Sequence, residues 1–322
     1  MKVVKIGLLT LVLLSSCEHK DLCYDHDRHG PHRYVDMRIV YDLRWEYPEY
    51  GPTAPNWETQ WSEEFGMDYE DLNPLRPEGV RVLEYNTETG SRISNFPAEG
   101  GRIGFTHTAY AMIAFNNDTE YILFENLDEP NSSLATTRAA RIDDITVNQP
   151  DVLYCSFLRN DLDDNIILNM TPVTYVYLIR CKFEHGAEYL ALARGELGGM
   201  APYCYLNDGS TPDESVAMFF NGTVKPWGVE VVMNTFGAPG YPANYRNREY
   251  FLNLEVRLKN GDYKSFKVDV TPQLREQPRG GVIEVDGLIV SDAEGANKGG
   301  GFNVEVEGWG EYEKIILPLE RK

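Results

Sequence analysis

Basic residues are scarce in this chain, with 30 Lys and Arg against 50 Asp and Glu over 322 residues and a formal net charge of −20. That imbalance repels phosphate backbones and anionic lipid surfaces, so no nucleic-acid partner is expected. Cysteine is sparse too: there are five, with no C-x-x-C spacing, which removes a zinc ribbon and a thioredoxin-like centre. The chain has no G-x-S-x-G elbow, no H-E-x-x-H pair and no phosphate loop, the usual sequence marks of a nucleophile, a catalytic zinc and a nucleotide site. Paired carboxylates are so common in a sequence this acidic that they single out no active site. No enzyme, cofactor or bound metal is therefore expected. Long apolar runs are also missing. The most apolar stretch, Ile6 to Leu14, falls well short of the ~20 residues that a helix needs to cross a bilayer.

What that stretch does fit is a leader. Lys2 and Lys5 precede it and Ser15, Ser16 and Cys17 follow, which is the charged, apolar and small-residue order of a signal peptide. Leu14-Ser15-Ser16-Cys17 resembles a bacterial lipobox, in which the cysteine is acylated and becomes the first mature residue. Residues 1–16 are thus read as a lipoprotein signal peptide and Cys17 as the lipid attachment point, with palmitate among its acyl groups. Several chains together hold far better than one, since each buried methylene contributes about 0.8 kcal/mol. Residues 17–33 form a polar tether. Glu18 and Asp21 around Lys20 weakly resemble surface-export signals. The expected location is the outer membrane, lipid-anchored and surface-exposed. An exported chain permits disulfides, and the pairing of Cys23, Cys155, Cys181 and Cys204 stays open; Cys181, in an apolar strand, reads as a buried thiol.

Beyond the tether the pattern is that of strands. Val35, Met37, Ile39, Tyr41, Leu43 and Trp45 alternate, placing one apolar face inward. Val80 to Tyr85 and Arg92 to Phe96 flank a turn-forming Asn86 to Gly90, and Tyr110 to Phe115 and Tyr121 to Glu125 flank Asn116-Asn117-Asp118. Val173 to Phe183 is apolar on both faces, as a central strand would be. Leu252 to Leu258 and Phe266 to Val270 flank Asn260-Gly261, read as a type I′ hairpin turn. Thr271-Pro272 reads as a helix N-cap and first helical residue, ended at Pro278. Val282 to Val290, Phe302 to Val306 and Lys314 to Leu319 supply further strands, and helices are nearly absent. Short strands with frequent turns predict an all-β, antiparallel β-sandwich protein. About 300 mature residues exceed what one core usually serves. The expected division is an N-terminal sandwich over 34–145, a linker over 146–171 and a C-terminal sandwich over 172–322.

Several clusters call for weighing. His26, His29 and His32 with Asp25 and Asp27 look metal-binding in composition, but a flexible tether does not preorganise a tetrahedral site. Asp161, Asp163, Asp164 and Asn165 lack the glycine and distal glutamate of a calcium loop and read as a polar turn. Asn131 to Arg141 reads as an exposed linker, with Arg138 and Arg141 open to trypsin-like proteases. Tyr47 to Pro77 reads as a long loop with one helical turn. Trp45, Tyr47, Tyr50, Trp57 and Trp61 form a dense aromatic group. Such rings either fill a core or stack on sugars; packing is favoured, and Trp57 and Trp61 are kept as candidate glycan contacts.

Four stretches carry a resemblance: CEHKDLCYDH from Cys17, AFNNDTEYILFENL from Ala114, YLIRCKFEHGAEYLALARGELGGM from Tyr177 and VTPQLREQPRGGVIEV from Val270. Together they resemble a family of Bacteroidales lipoproteins of undefined function, similar at greater distance to fimbrillin-associated anchor lipoproteins and fimbrillins. The resemblance implies two tandem transthyretin-like sandwiches, outer-membrane attachment through Cys17, and fimbrial subunits or other surface proteins as partners. It brings no catalytic residue, and the stretch from Trp45 to Trp61 looks like an insertion. The reading is a fimbria-associated anchor or accessory adhesion lipoprotein that works through β-strand contacts. The alternative is a glycan-binding surface lipoprotein.

Overall fold

In the first strand the apolar alternation becomes burial: Val35, Met37 and Ile39 point inward while Asp36, Arg38 and Val40 stay exposed. The computed structural model describes residues 33–47, 54–105, 108–139, 146–159 and 165–296. The leader, Cys17, Cys23, the histidine cluster, Tyr50, Arg141, the Asp161 to Asp164 turn and the two last expected strands lie outside the described residues. The strands are β1 Arg33–Tyr41, β2 Gly79–Asn86, β3 Gly90–Pro97, β4 Gly100–Phe105, β5 Ala109–Asn116, β6 Ile122–Glu125, β7 Leu134–Thr137, β8 Thr146–Val147, β9 Tyr154–Arg159 and β10 Asn165–Pro172. After them come β11 Tyr175–His185, β12 Leu190–Met200, β13 Tyr203–Tyr205, β14 Val216–Lys225, β15 Gly228–Thr235, β16 Phe251–Leu258, β17 Tyr263–Asp269 and β18 Gly281–Ile289. Among the described residues, three short α-helices, α1 Trp57–Gln60, α2 Thr271–Glu276 and α3 Asp292–Gly295, and four single 3-10 turns punctuate them. The protein is all-β.

The first sheet runs β3-β2-β5-β9-β10-β1-β4 and curls until its two edges meet. There Arg92 of β3 pairs with Glu84 and donates to the Gly104 carbonyl of β4. The curl encloses Val35, Met37, Ile39, Val82, Ile103, Met112, Tyr154, Leu168 and their neighbours as one core. Most pairings are antiparallel, but β1 and β10 run parallel. Segment 146–171, expected as a linker, contributes β9 and β10 to the middle of this sheet. Its alternating polar and apolar residues (Asn165 exposed, Ile166 buried) carry a strand signal too short to stand out beside Asp161 to Asp164.

The second sheet runs β17-β16-β12-β14-β15-β11-β18, with β8 beside β14. As its two apolar faces required, β11 is internal, antiparallel to β15 and parallel to β18. Between the two sheets lies a small one, β13-β7-β6. The stretch Asn131 to Arg141, expected as an exposed linker, thus holds a strand, with Ala135 fully buried. β7 is paired on both sides, with β6 and β13, and its residues alternate between half-buried and buried. Similarly β5 and β6, read as flanking a tight turn, do not pair. β6 crosses to the small sheet, and Phe124 stacks on Phe115 with centroids 4.2 Å apart. One core runs from Leu83, Ile113 and Phe115 through Ala135 and Cys204 to Tyr177, Phe220 and Leu254. Both large sheets share that apolar mass, so they cannot separate without exposing it.

Two local readings shift. Asn260 lacks the positive φ that a type I′ turn requires. Gly261 alone has it (φ +91°), and Leu258 N–H donates to the Asp262 carbonyl at 2.8 Å, so the loop between β16 and β17 has three residues. A left-handed glycine closing such a loop keeps the strand twist at no steric cost. In α2, Val270 occupies the cap position and Thr271 is already helical, one residue earlier than expected.

Candidate contact site: a parted ladder in the C-terminal sheet

Strands β14 and β15 begin as a hairpin and then part. Lys225, Val224 and Thr223 pair with Gly228, Val229 and Glu230, and there the ladder stops. An ion pair of 2.9 Å between Lys225 and the buried Glu230 closes the tip. Continued in register, Asn221 would face Val232 and Phe219 would face Asn234; neither pair forms. Instead β15 follows β11 along its full length, while β14 follows β12. The glycine at 222 allows the divergence, since a Cβ there would lie 2.5 Å from Val229 Cγ1.

A wedge from the segment between β7 and β9 fills the opening. Thr146 and Val147 pair in parallel with Ala217 and Met218. The Gln149 side chain then takes the place of the missing Phe219–Asn234 pair: Nε2 donates to the Phe219 carbonyl and Oε1 accepts from Asn234 N–H, each at 3.3 Å. A side-chain amide carries the same donor and acceptor as a peptide, so it can occupy one rung of a ladder. The wedge is braced from behind, where Asn148 N–H donates to the carbonyl of the exposed Arg138 at 3.0 Å and Thr137 Oγ1 donates to the Asn148 carbonyl at 2.9 Å. Beyond Gln149 the opening continues as a groove of about 550 Å³, lined by Tyr121, Pro150, Asp151, Phe219 and Asn221 among others. Val232, two residues before Asn234 on β15, is half exposed.

The edge of β18 is treated differently. Gln277 bonds both the N–H and carbonyl of Val282, at 2.9 and 3.0 Å, and Gln273 does the same for Glu284, at 2.9 and 2.8 Å. Four residues of helix rise about 6 Å and two of strand about 6.6 Å, so glutamines one helical turn apart match alternate strand residues. That stretch of edge is therefore closed to strand addition.

The aromatic group lies elsewhere, on the outer face of the second sheet. The alternation of β1 ends at Tyr41, and Trp45, expected to continue it, crosses to pack on Val176, Leu178 and Val282 with Phe65 and Leu72. It is 1% exposed. Trp57 and Trp61 are half-buried around it. Trp61 stacks on Phe65 at 4.3 Å, Trp57 meets Phe65 edge-on at 6.0 Å, and Trp45 meets Trp61 at 5.9 Å. Both outer indoles are satisfied within the protein: Trp57 Nε1–H donates to Gln277 Oε1 at 2.7 Å and Trp61 Nε1–H to the Met67 carbonyl at 2.9 Å. The buried Glu46 carboxylate accepts from the N–H groups of Trp57 and Glu58 at the start of α1 and from the Tyr69 hydroxyl. Burial and that bond to Glu46 push the Tyr69 hydroxyl well above its ordinary pKa. Arg180, itself buried, donates to the Glu64 carbonyl and lies 4.8 Å from the Phe65 ring centre and 4.6 Å from that of Trp227. These contacts pin a long loop to a sheet.

Cys155, Cys181 and Cys204 are buried free thiols. Burial pushes Cys155 and Cys181 up to about 12 and Cys204 well above its ordinary value, which keeps them protonated and unreactive. No metal-ligating group of His, Cys, Asp or Glu occurs among the described residues.

Residues 64–221 match the model of a family described as a domain of unknown function, DUF5119. No curated protein matches the sequence. Among solved structures, a candidate adhesin of Bacteroides ovatus aligns at 17% identity and a TM-score of 0.53, covering 80% of this chain and 94% of its own. A candidate polysaccharide-binding protein of the DUF1812 group from Bacteroides thetaiotaomicron gives 9% identity, coverage of 78% and 90%, and a TM-score of 0.47. The fimbrial anchor protein Mfa2 of Porphyromonas gingivalis gives 10%, 78% and 90%, and 0.42. At these identities the likeness to the Bacteroides ovatus protein is one of fold.

Proposed function

We propose that this chain is a surface-exposed, outer-membrane lipoprotein of an adhesive or fimbrial system, tethered through acylated Cys17, that engages a partner polypeptide by strand addition between β14 and β15. The observation that carries the reading is the Gln149 amide occupying the Phe219–Asn234 rung. One side chain holds a position where a strand would make continuous backbone bonds, and strand addition draws its affinity from such bonds. The strongly acidic composition fits a protein that contacts polypeptide and repels nucleic acid.

Val232→Pro tests the site. By alternation from Asn234, the N–H of Val232 faces the gap, so proline there removes a donor from the opening and leaves the β11 ladder intact. The variant is expected to fold, remain at the surface and lose capture of fimbrial subunits from its own cells. Undiminished capture overturns the site. Deleting the gene tests the role: fimbrial length, shedding and adhesion all unchanged would sink it. For the tether, mass spectrometry of the mature protein should show acyl groups on Cys17; an unmodified thiol with the protein free in the medium refutes the anchor.

A further inference from the structure

A second cavity, of about 550 Å³, lies at the junction of the two large sheets, within the ~300–1,000 Å³ range of small-molecule sites. Its walls come from the segment after β1 (Asp42, Arg44, Tyr47), from Asn169 on β10, from the turn at Asn207 and Asp208, and from Tyr241 and Arg279. We infer that this cleft binds a neutral oligosaccharide.

Two guanidiniums and two tyrosine rings form one wall of the cleft. Arg44 grips Asp42 with two bonds, of 2.9 and 2.6 Å, and its guanidinium sits 5.1 Å from the Tyr47 ring centre. Arg279 lies 5.5 Å from the Tyr47 centre and 5.2 Å from that of Tyr241. Tyr47 in turn meets the buried Tyr175 edge-on at 6.0 Å. Each guanidinium lies over an aromatic ring, which narrows the directions its N–H groups take. Opposite them, Asn169 is exposed on its strand, and Asn207 Oδ1 is shut off from solvent with no donor among the described residues. A shielded acceptor without a donor is costly to leave so, and a ligand hydroxyl satisfies it. Asp208 is locked by accepting from Ser210 N–H and Oγ–H, at 2.9 and 2.6 Å.

The composition of the wall then selects the ligand. Its charged groups are two carboxylates, Asp42 and Asp208, and two guanidiniums, Arg44 and Arg279. They balance, which disfavours a charged ligand. Planar donors and acceptors are interleaved with aromatic surface. A polyol, which donates and accepts at every hydroxyl and has apolar C–H faces, uses both. An apolar ligand would strand the amides and an anion would meet the two carboxylates.

The test is saturation-transfer NMR on the whole mature protein with three neutral probes, maltotriose, cellotriose and N-acetyllactosamine, and a chondroitin sulfate disaccharide as anionic comparator. At least one neutral probe is expected to receive saturation. Its Kd should rise at least tenfold in Arg279→Ala and in Asn169→Ala, while Trp57→Ala leaves it unchanged. Asn169 is an exposed strand residue, so its loss should not disturb folding. Silence from all three neutral probes, transfer from the anionic one alone, or a Kd unmoved in Asn169→Ala overturns the inference. The Val232→Pro experiment reads a different site, so either proposal can fail without the other.

Discussion

Replacing Gln149 with alanine should uncouple the wedge from the sheet without unfolding the protein. The side chain makes two hydrogen bonds across the parted ladder, both at 3.3 Å, the long end of the normal range. A typical net contribution is about 1 kcal/mol per bond, and a group left unsatisfied in the interior costs about 1–3 kcal/mol. Because the bonds are long and the groove is open, water can reach the freed Phe219 carbonyl and Asn234 N–H, so the lower values apply. The total comes to about 1–2 kcal/mol, against the ~5–15 kcal/mol that holds a typical domain folded. Local opening at Asn234 should become roughly tenfold more frequent, since 1.4 kcal/mol is one decade. Amide hydrogen exchange reads this directly. Protection at Asn234 should fall about tenfold while Tyr177 and Ile179 in β11 stay protected, and the urea midpoint should move only slightly. Unchanged exchange at Asn234 would mean that Gln149 is not the rung, and the strand-addition site would lose its basis. If the proposal holds, the same variant should capture partner strands more readily, because the competing side chain is gone.

The buried thiols should resist alkylation. With Cys155 and Cys181 pushed up to about 12 by burial, iodoacetamide at pH 8 should leave both unlabelled in the native protein and label both in denaturant; fast native labelling refutes their burial. The sign of the linkage follows: between pH 9 and 12 the unfolded chain's thiols ionise and the folded chain's do not, so stability should fall as pH rises through that window. In the aromatic loop, Trp45→Ala should cost about 3–5 kcal/mol in urea denaturation. Trp57→Phe, which loses the bond to Gln277 and part of the ring contact with Phe65, should cost at least about 1 kcal/mol. Trp57→Ala and Trp61→Ala should destabilise the protein without changing any glycan-array signal. Lost glycan recognition at full stability would reinstate the two as ligand contacts.

The sequence alone determined what depends on short-range pattern. The period of two in Val35, Met37 and Ile39, the two apolar faces of β11 and the glycine-closed turn near Asn260 are each local consequences of backbone geometry, and each forms. What tertiary structure decided is which strands meet. Neither the parallel pairing of β1 with β10, nor the choice of β7 rather than β5 as the partner of β6, nor the passage of Trp45 from beyond β1 onto the second sheet leaves a mark in local spacing, because each is settled by packing against other strands and not by the residues next to it. The candidate contact site was hidden for the same reason. Gln149 sits in a short polar stretch that resembles any linker, and only the divergence of β14 from β15, set by their separate allegiance to β12 and β11, turns its side chain into a rung of a sheet.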